Sequence, residues 1–449
     1  MAARGEFSSR TAFVLAASGS AIGLGNIWGF PIKVASNGGG AFVFTYIILT
    51  FILAYPILMA ELVIGRHAKA DTVKSITAIS CPSTRPLAFL TGYWGMLTAS
   101  LILSFYAIVA GWMVSHGAGS ILEILGQKAD WFVSDSINRS LLFGLLFYCL
   151  TIGIVANGVA SGIEKWSTRL MPVLILLIVA LIIYIAFQPG AGEGWRIYLQ
   201  PDFSKVLEPS LLIDALSQAF FSLSLGVGTM MIYGSYISKS ENLPKLGATV
   251  AAIDIGIAVL AGMLVIPAMY VAQHNGVVIY DDAGNLIESG RLIFNVLPSL
   301  FATMGDAGPV VSLVFFILMS IAALTSSISM LEVPVAYASE SHNLTRRKSA
   351  WLVGMAIFAF STIIIFNASW LFDLVVRAAT EFSEPIVGIL FCIFAGWIWN
   401  RDQLLSELKQ GCPDIEESFF WKVWPSYVRY VCPLIVLAVF IHSFGLLNL

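Results

Sequence analysis

Residues 18–31 read SGSAIGLGNIWGFP, four glycines and an asparagine inside a stretch otherwise apolar enough to cross a membrane. Glycine costs about 1 kcal/mol against alanine in a helix interior, and a buried asparagine must find a hydrogen-bond partner. A matching pattern, QAFFSLSLGVG at 218–228, places Ser222, Ser224, Gly226 and Gly228 in the middle of another apolar stretch, about two hundred residues on. Such residues break helices, and breaks have a chemistry. Unwinding frees backbone carbonyls for a cation, while the amides at a half-helix N-terminus favour an anion. Irregular backbone at membrane depth survives only where protein or a cavity surrounds it. Paired interruptions in two halves of a chain point to a binding site near the bilayer midplane. Close helix packing is the plainer alternative, since Gly19 and Gly23 form a small-xxx-small pair.

Other polar residues in apolar stretches add oxygens. Glu61 and Asp254 are expensive there unless used. Thr325, Ser326 and Ser327 could supply hydroxyls to a ligand or simply bond the carbonyl four residues back. Tyr106 could bind or pack, and Asp373 and Arg377 are spaced for an intrahelical pair. The sequence holds no Walker A motif, no HExxH and no histidine cluster, and its five cysteines form no CxxC. Neither a disulfide framework nor a zinc site is implied. An enzyme is disfavoured, and nothing suggests a nucleic-acid partner.

The elements that must hold these groups are membrane helices. The chain is 58% hydrophobic and 11% charged, against roughly 25% charged in soluble domains. Segments long enough to span, about 20 residues each, are expected near 11–36, 41–64, 88–124, 140–157, 163–187, 210–237, 245–273, 307–340, 350–367, 370–399 and 427–447. With the N-terminus in the cytoplasm, seventeen Lys and Arg fall in inner segments and five in outer ones, the expected bias. The latter half of the outer segment 273–306 is amphipathic and suits short helices.

The motifs GSAIGLGNIWGFP, NGGGAF (37–42), PILMAELVIGR (56–66), QAFFSLSLGVG and ALTSSISMLE (323–332) resemble the neurotransmitter:sodium symporter family over residues 7–399, more loosely in the final span. The resemblance implies an all-α polytopic fold of about eleven transmembrane helices with broken first and sixth helices. One transporter domain would fill 1–449, with inverted five-helix repeats near 10–187 and 208–400 and an extra helix near 427–447. It also implies a substrate site. The amino acid's carboxylate would rest on the amides of Leu24 and Gly25 with the Tyr106 hydroxyl, and its ammonium on the carbonyls of Ala21, Phe221 and Ser222 with the Ser224 hydroxyl. One sodium would take Ala21, Asn26, Ser222 and Asp254; a second would take Gly19, Ile22, Ala322, Thr325 and Ser326. Arg4, Tyr236 and Glu340 stand where the family has an inner gate, and Gly162 with Pro172 forms a Gly-X9-Pro pattern associated with local unwinding. The family's outer-gate arginine is replaced by Gly29, with Asp373 the candidate for its acidic partner.

These features lead to expectations. Ile102, Tyr106, Phe221, Val227, Ser326 and Met330 would form a mostly apolar wall, which offers no partner to a charged side chain; bulky hydrophobic or aromatic L-amino acids are expected. Chloride-dependent relatives hold an anion near the positions of Tyr46, Gln218, Ser222 and a residue that here is Asp254. A fixed carboxylate would replace that anion and take up a proton once sodium leaves. Asp254 could instead be hydrated at the inner end of its span. The short termini suit a bacterial inner membrane, and a homodimer stays open. A receptor-like protein keeping the fold without transport is the runner-up reading.

Overall fold

The computed structural model describes residues 5–280, 286, 294, 297–342 and 344–443. Its architecture is helical, with only an isolated bridge, Tyr280–Leu286, among the described residues. The first expected span is two helices, α1 (Arg10–Ala21) and α2 (Gly25–Ser36), bent by 56°. There follow α3 (Gly40–Ala68), α4 (Arg85–Ile124), α5 (Ile137–Ala156) and α6 (Val159–Ala186). The expected sixth span is also split, into α7 (Pro209–Ser222) and α8 (Thr229–Gly234). Then come α9 (Leu243–His274), α10 (Gly305–Ser341), α11 (Arg346–Phe366), α12 (Ala368–Ile398) and α13 (Phe419–His442). Among the described residues nine helices are long and apolar enough to span alone. The bent pair α1–α2 makes a tenth candidate span, and the split α7–α8 occupies the place of the expected sixth. Of the amphipathic outer segment, Leu297–Ala302 is helical, and most of 281–296 lies outside the described residues.

Helices α4 and α10 pack on each other through the centre and against α5. At 40 residues, α4 would be about 60 Å long, twice a hydrocarbon core of about 30 Å, and so protrudes. The periphery exposes Leu146, Leu150, Leu176, Ile183, Leu352 and Ile363, apolar surface that suits lipid rather than water. Local signals set the helix starts. The Ser9 hydroxyl caps α1 by accepting from the Ala12 amide at 3.2 Å, and Asn242 caps α9 through the Lys245 amide at 3.1 Å.

The expected unwinding at Gly162 and Pro172 is absent in this conformation. Val159–Glu164 forms one wide helical turn and Lys165–Ala186 continues helical through Pro172. Gly162 serves packing instead, since a Cβ there would lie 2.1 Å from the Ile154 carbonyl oxygen.

A buried ion pair ties α3 to the short helix Arg401–Lys409. Arg66, fully buried, donates through Nε to Glu407 Oε1 at 2.8 Å and through its terminal nitrogens to the carbonyls of Glu407 and Glu241. Burial favours the protonated form of Glu407, but the His67 hydrogen bond and the Arg66 charge outweigh it and hold its pKa below the usual carboxylate range. A lowered folded-state pKa means the pair's contribution is complete above the ordinary carboxylate pKa and is lost as pH falls through the lowered one. Breaking a buried pair costs about 3–5 kcal/mol, so Glu407→Gln should lower the unfolding midpoint in detergent at pH 7, with the gap to the unmodified protein closing in acid. Equal midpoints at pH 7 would refute the role.

Candidate functional site at two broken helices

At the first break the helix stops after Ala21. Ile22 is extended (φ −74°, ψ 99°), and the chain turns before re-entering helix at Gly25. This leaves the carbonyls of the last turn without helical donors. Ser326 on α10 fills part of that role: its hydroxyl lies 3.1 Å from the Ser20 and Ile22 carbonyl oxygens and 3.4 Å from that of Gly19. Thr325 sits beside them, with a Cβ on Gly19 only 3.2 Å from its own. Its hydroxyl bonds back to the carbonyls of Ala322 and Ile321 at 3.0 and 3.2 Å. The residues expected around the second sodium, Gly19, Ile22, Ala322, Thr325 and Ser326, thus meet across α1 and α10, and all their donor atoms are oxygens.

At the second break α7 stops at Ser222 and the backbone takes left-handed conformations at Ser224 (φ 51°), Gly226 (75°) and Gly228 (81°). A left-handed serine is strained, and such strain clusters at binding sites. Gly226 also needs its missing Cβ, which would lie 2.2 Å from the Glu384 carbonyl oxygen. The freed Gly226 amide donates to Glu61 Oε1 at 2.8 Å, so Glu61 caps the break from α3.

Between the breaks lies a polar cluster sealed from solvent. Asp254, 0% exposed, accepts from Asn26 Nδ2 at 2.7 Å and from the Ser222 hydroxyl at 2.7 Å. The Tyr46 hydroxyl donates to Ser222 at 3.0 Å, and Gln218 Nε2 donates to the Gly25 carbonyl at 2.9 Å. The hydrated alternative for Asp254 is therefore excluded. Asn26, Ser222 and Asp254, drawn from three helices, converge; Ser222 and Asp254 present oxygens, while Asn26 presents Nδ2 and its Oδ1 accepts from the Gly23 amide at 3.4 Å.

Next to this cluster is a small cavity of about 30 Å³. Ten of the eleven expected substrate residues line it. Ala21, Leu24 and Gly25 come from the first break, Ile102 and Tyr106 from α4, Phe221, Ser224 and Val227 from the second break, and Ser326 and Met330 from α10. Ser222 is absent from the wall because its hydroxyl belongs to the Asp254 cluster. Gly23 and Glu384 also line the cavity, and neither was anticipated. The Tyr106 hydroxyl oxygen accepts from the Leu24 amide at 3.0 Å, so tyrosine and amide meet where a carboxylate is expected.

The end of the molecule bearing the N-terminus is closed. The Phe7 amide donates to the Tyr236 carbonyl at 3.1 Å. The Tyr236 hydroxyl donates to Glu332 at 2.5 Å, and Arg346 holds the same carboxylate with both terminal nitrogens, at 2.9 and 2.5 Å. Glu332, fully buried, joins this closed end and was missed by sequence reasoning, although it ends the motif ALTSSISMLE. Glu340 accepts from the Asp71 amide at 3.0 Å, and Arg4 lies outside the described residues. At the other end, Asp373 is exposed and forms no ion pair, with Arg377 or any other group, among the described residues. The pair there is Lys33–Asp214 at 2.6 Å, joining α2 to α7 one turn beyond Gly29; Asp214 also accepts from Asn37. Asp373, expected as the acidic partner there, is thus exposed and takes no part in this pair.

Two broken helices enclosing a buried polar cluster and an adjoining cavity are the architecture of a secondary transporter. The sequence matches the sodium:neurotransmitter symporter family over residues 4–138 and 133–448, and the chain belongs to that family. It is 33% identical to the uncharacterized sodium-dependent transporter YhdH of Bacillus subtilis, covering 99% of this chain and 98% of that protein. An uncharacterized sodium-dependent transporter of Haemophilus influenzae is 31% identical, covering 98% of each. The fold is that of MhsT solved in complex with L-phenylalanine, with a TM-score of 0.84, 35% identity, and coverage of 98% of this chain and all of that one.

Proposed function

We propose that the protein is a sodium-coupled symporter of bulky hydrophobic or aromatic L-amino acids. It moves them by alternating access around the cavity, with the two halves of the chain acting as inverted repeats. The observation that carries this reading is the buried Asn26–Ser222–Asp254 cluster beside an otherwise apolar cavity bounded by two broken helices. Sodium is cargo at two places: among Ala21, Asn26, Ser222 and Asp254, and among Gly19, Ile22, Ala322, Thr325 and Ser326. The substrate carboxylate takes the Leu24 and Gly25 amides, with Tyr106 turning its hydroxyl toward the anion. Ile102, Val227 and Met330 face the side chain, and the L-phenylalanine bound to MhsT supports an apolar substrate. Asp254 supplies a fixed negative charge where chloride-dependent relatives hold an anion, so transport proceeds without chloride. The same carboxylate carries a proton back after sodium has left. The N-terminus is cytoplasmic and the membrane is a bacterial inner membrane.

The test is uptake into proteoliposomes. A sodium gradient should drive accumulation of labelled Leu, Phe, Tyr or Trp, and unlabelled members of this group should compete whereas Glu and Lys should not. Sodium-independent uptake, or competition by Glu or Lys without the hydrophobic group, would overturn the reading.

A further inference from the structure

One carboxyl group on the cavity wall has no part in the transport scheme above. Glu384, on α12, is 1% exposed and lines the cavity together with Phe221 and Val227. Its Oε2 is sealed from solvent and makes no hydrogen bond among the described residues. A buried polar atom left unpaired is costly and calls for an explanation. The residue is held in place by its neighbours. Ser383, just before it, is held by the Trp94 indole at 2.6 Å and by Thr98 at 2.5 Å. The backbone of Glu384 presses against Gly226 so closely that a Cβ there would lie 2.2 Å from its carbonyl oxygen. The neighbouring acid, Glu61, accepts the Gly226 amide through Oε1 at 2.8 Å, though its Oε2 is likewise buried without a partner among the described residues. Glu384 has no such anchor.

We propose that Glu384 selects among aromatic substrates by turning its carboxyl group to accept a hydrogen bond from a donor on the substrate's side chain, the indole N–H of tryptophan or the phenol O–H of tyrosine. The proposal rests on the cavity being the amino-acid site. Ile102, Val227 and Met330 contribute size and apolarity but no acceptor, so the wall otherwise treats phenylalanine and tyrosine alike. A site built to bond a donor discriminates strongly against the analogue that lacks it, because its own polar group is then left unpaired.

The experiment is sodium-dependent competition against a labelled hydrophobic amino acid, using the purified full-length protein. Tryptophan is compared with 3-(3-benzothienyl)-L-alanine, in which sulfur replaces the indole N–H, and tyrosine with phenylalanine. The donor-bearing member of each pair should bind about ten- to a hundredfold more tightly, the range for a hydrogen bond to a charged or buried acceptor. In Glu384→Leu both ratios should fall toward one, while Glu384→Gln, which keeps a carbonyl acceptor, should retain part of the discrimination. Equal affinities within each pair in the unmodified protein would overturn the proposal even if the Leu variant does not fold. So would ratios unchanged in Glu384→Leu. Failure of every hydrophobic amino acid to compete would instead overturn the assignment of the cavity itself.

Discussion

Sodium-driven uptake in chloride-free buffer is expected to fall to background in Asp254→Asn, and to return in part when chloride is supplied. The reason is electrostatic. Asp254 lies within hydrogen-bond distance of Asn26 and Ser222, so a sodium ion held by this cluster would sit a few ångströms from its charge. Opposite charges 4 Å apart attract by about 4 kcal/mol at an effective dielectric of 20, which is on the order of a thousandfold in sodium affinity. Asparagine keeps the size and one oxygen but removes the charge, and an anion binding near Tyr46, Gln218 and Ser222 could restore it. In the unmodified protein, replacing chloride with gluconate should leave uptake unchanged. A strong chloride requirement there, or undiminished chloride-free uptake by the variant, would show that the counter-charge comes from elsewhere.

The second large effect is expected at the closed N-terminal end. Arg346→Ala leaves Glu332 fully buried with only the Tyr236 hydroxyl among its partners described above. Removing one member of a buried pair costs about 3–5 kcal/mol; Arg346 is 26% exposed in its side chain, which favours the lower end. Opening this end would hydrate the stranded carboxylate, so the variant should shift toward the conformation open there by about a hundredfold in the equilibrium. A probe cysteine facing the cavity from α1 should become reactive from that side, and sodium-dependent binding should weaken. Pairing Arg346→Ala with Glu332→Gln should recover much of the closed population, because no unpaired charge then remains. A single variant with unchanged accessibility and sodium affinity would remove Glu332 and Arg346 from the gate.

Much of the binding site was legible in the chain because its signals are local. A Gly-x-Gly pair within an apolar run marks a broken helix whatever the partner, and the structure places breaks after Ala21 and Ser222. Hydroxyls, an asparagine and a carboxylate at membrane depth are costly enough that their presence alone argues for use; Asn26, Ser222 and Asp254 do converge, and Ser326 meets the carbonyls of the first break. The ten wall residues came instead from the family resemblance of the motifs, and the cavity gathers them.

What only the tertiary structure decided are pairings between distant elements. Glu332 meets Arg346 and Tyr236, Lys33 meets Asp214, and Arg66 meets Glu407, and no periodicity within one helix encodes these partners. Asp373 was selected by type and neighbourhood but is exposed, whereas Glu384, beyond the wide turn Ala378–Ser383 of the same helix, is buried against the second break. Gly162 and Pro172 permit unwinding, yet helix packing against the Ile154 carbonyl keeps the segment wound in this conformation. Sequence specifies which backbone can break and which side chains are too polar to be idle. Helix rotation and approach, summed over many weak contacts, determine which of those side chains face each other.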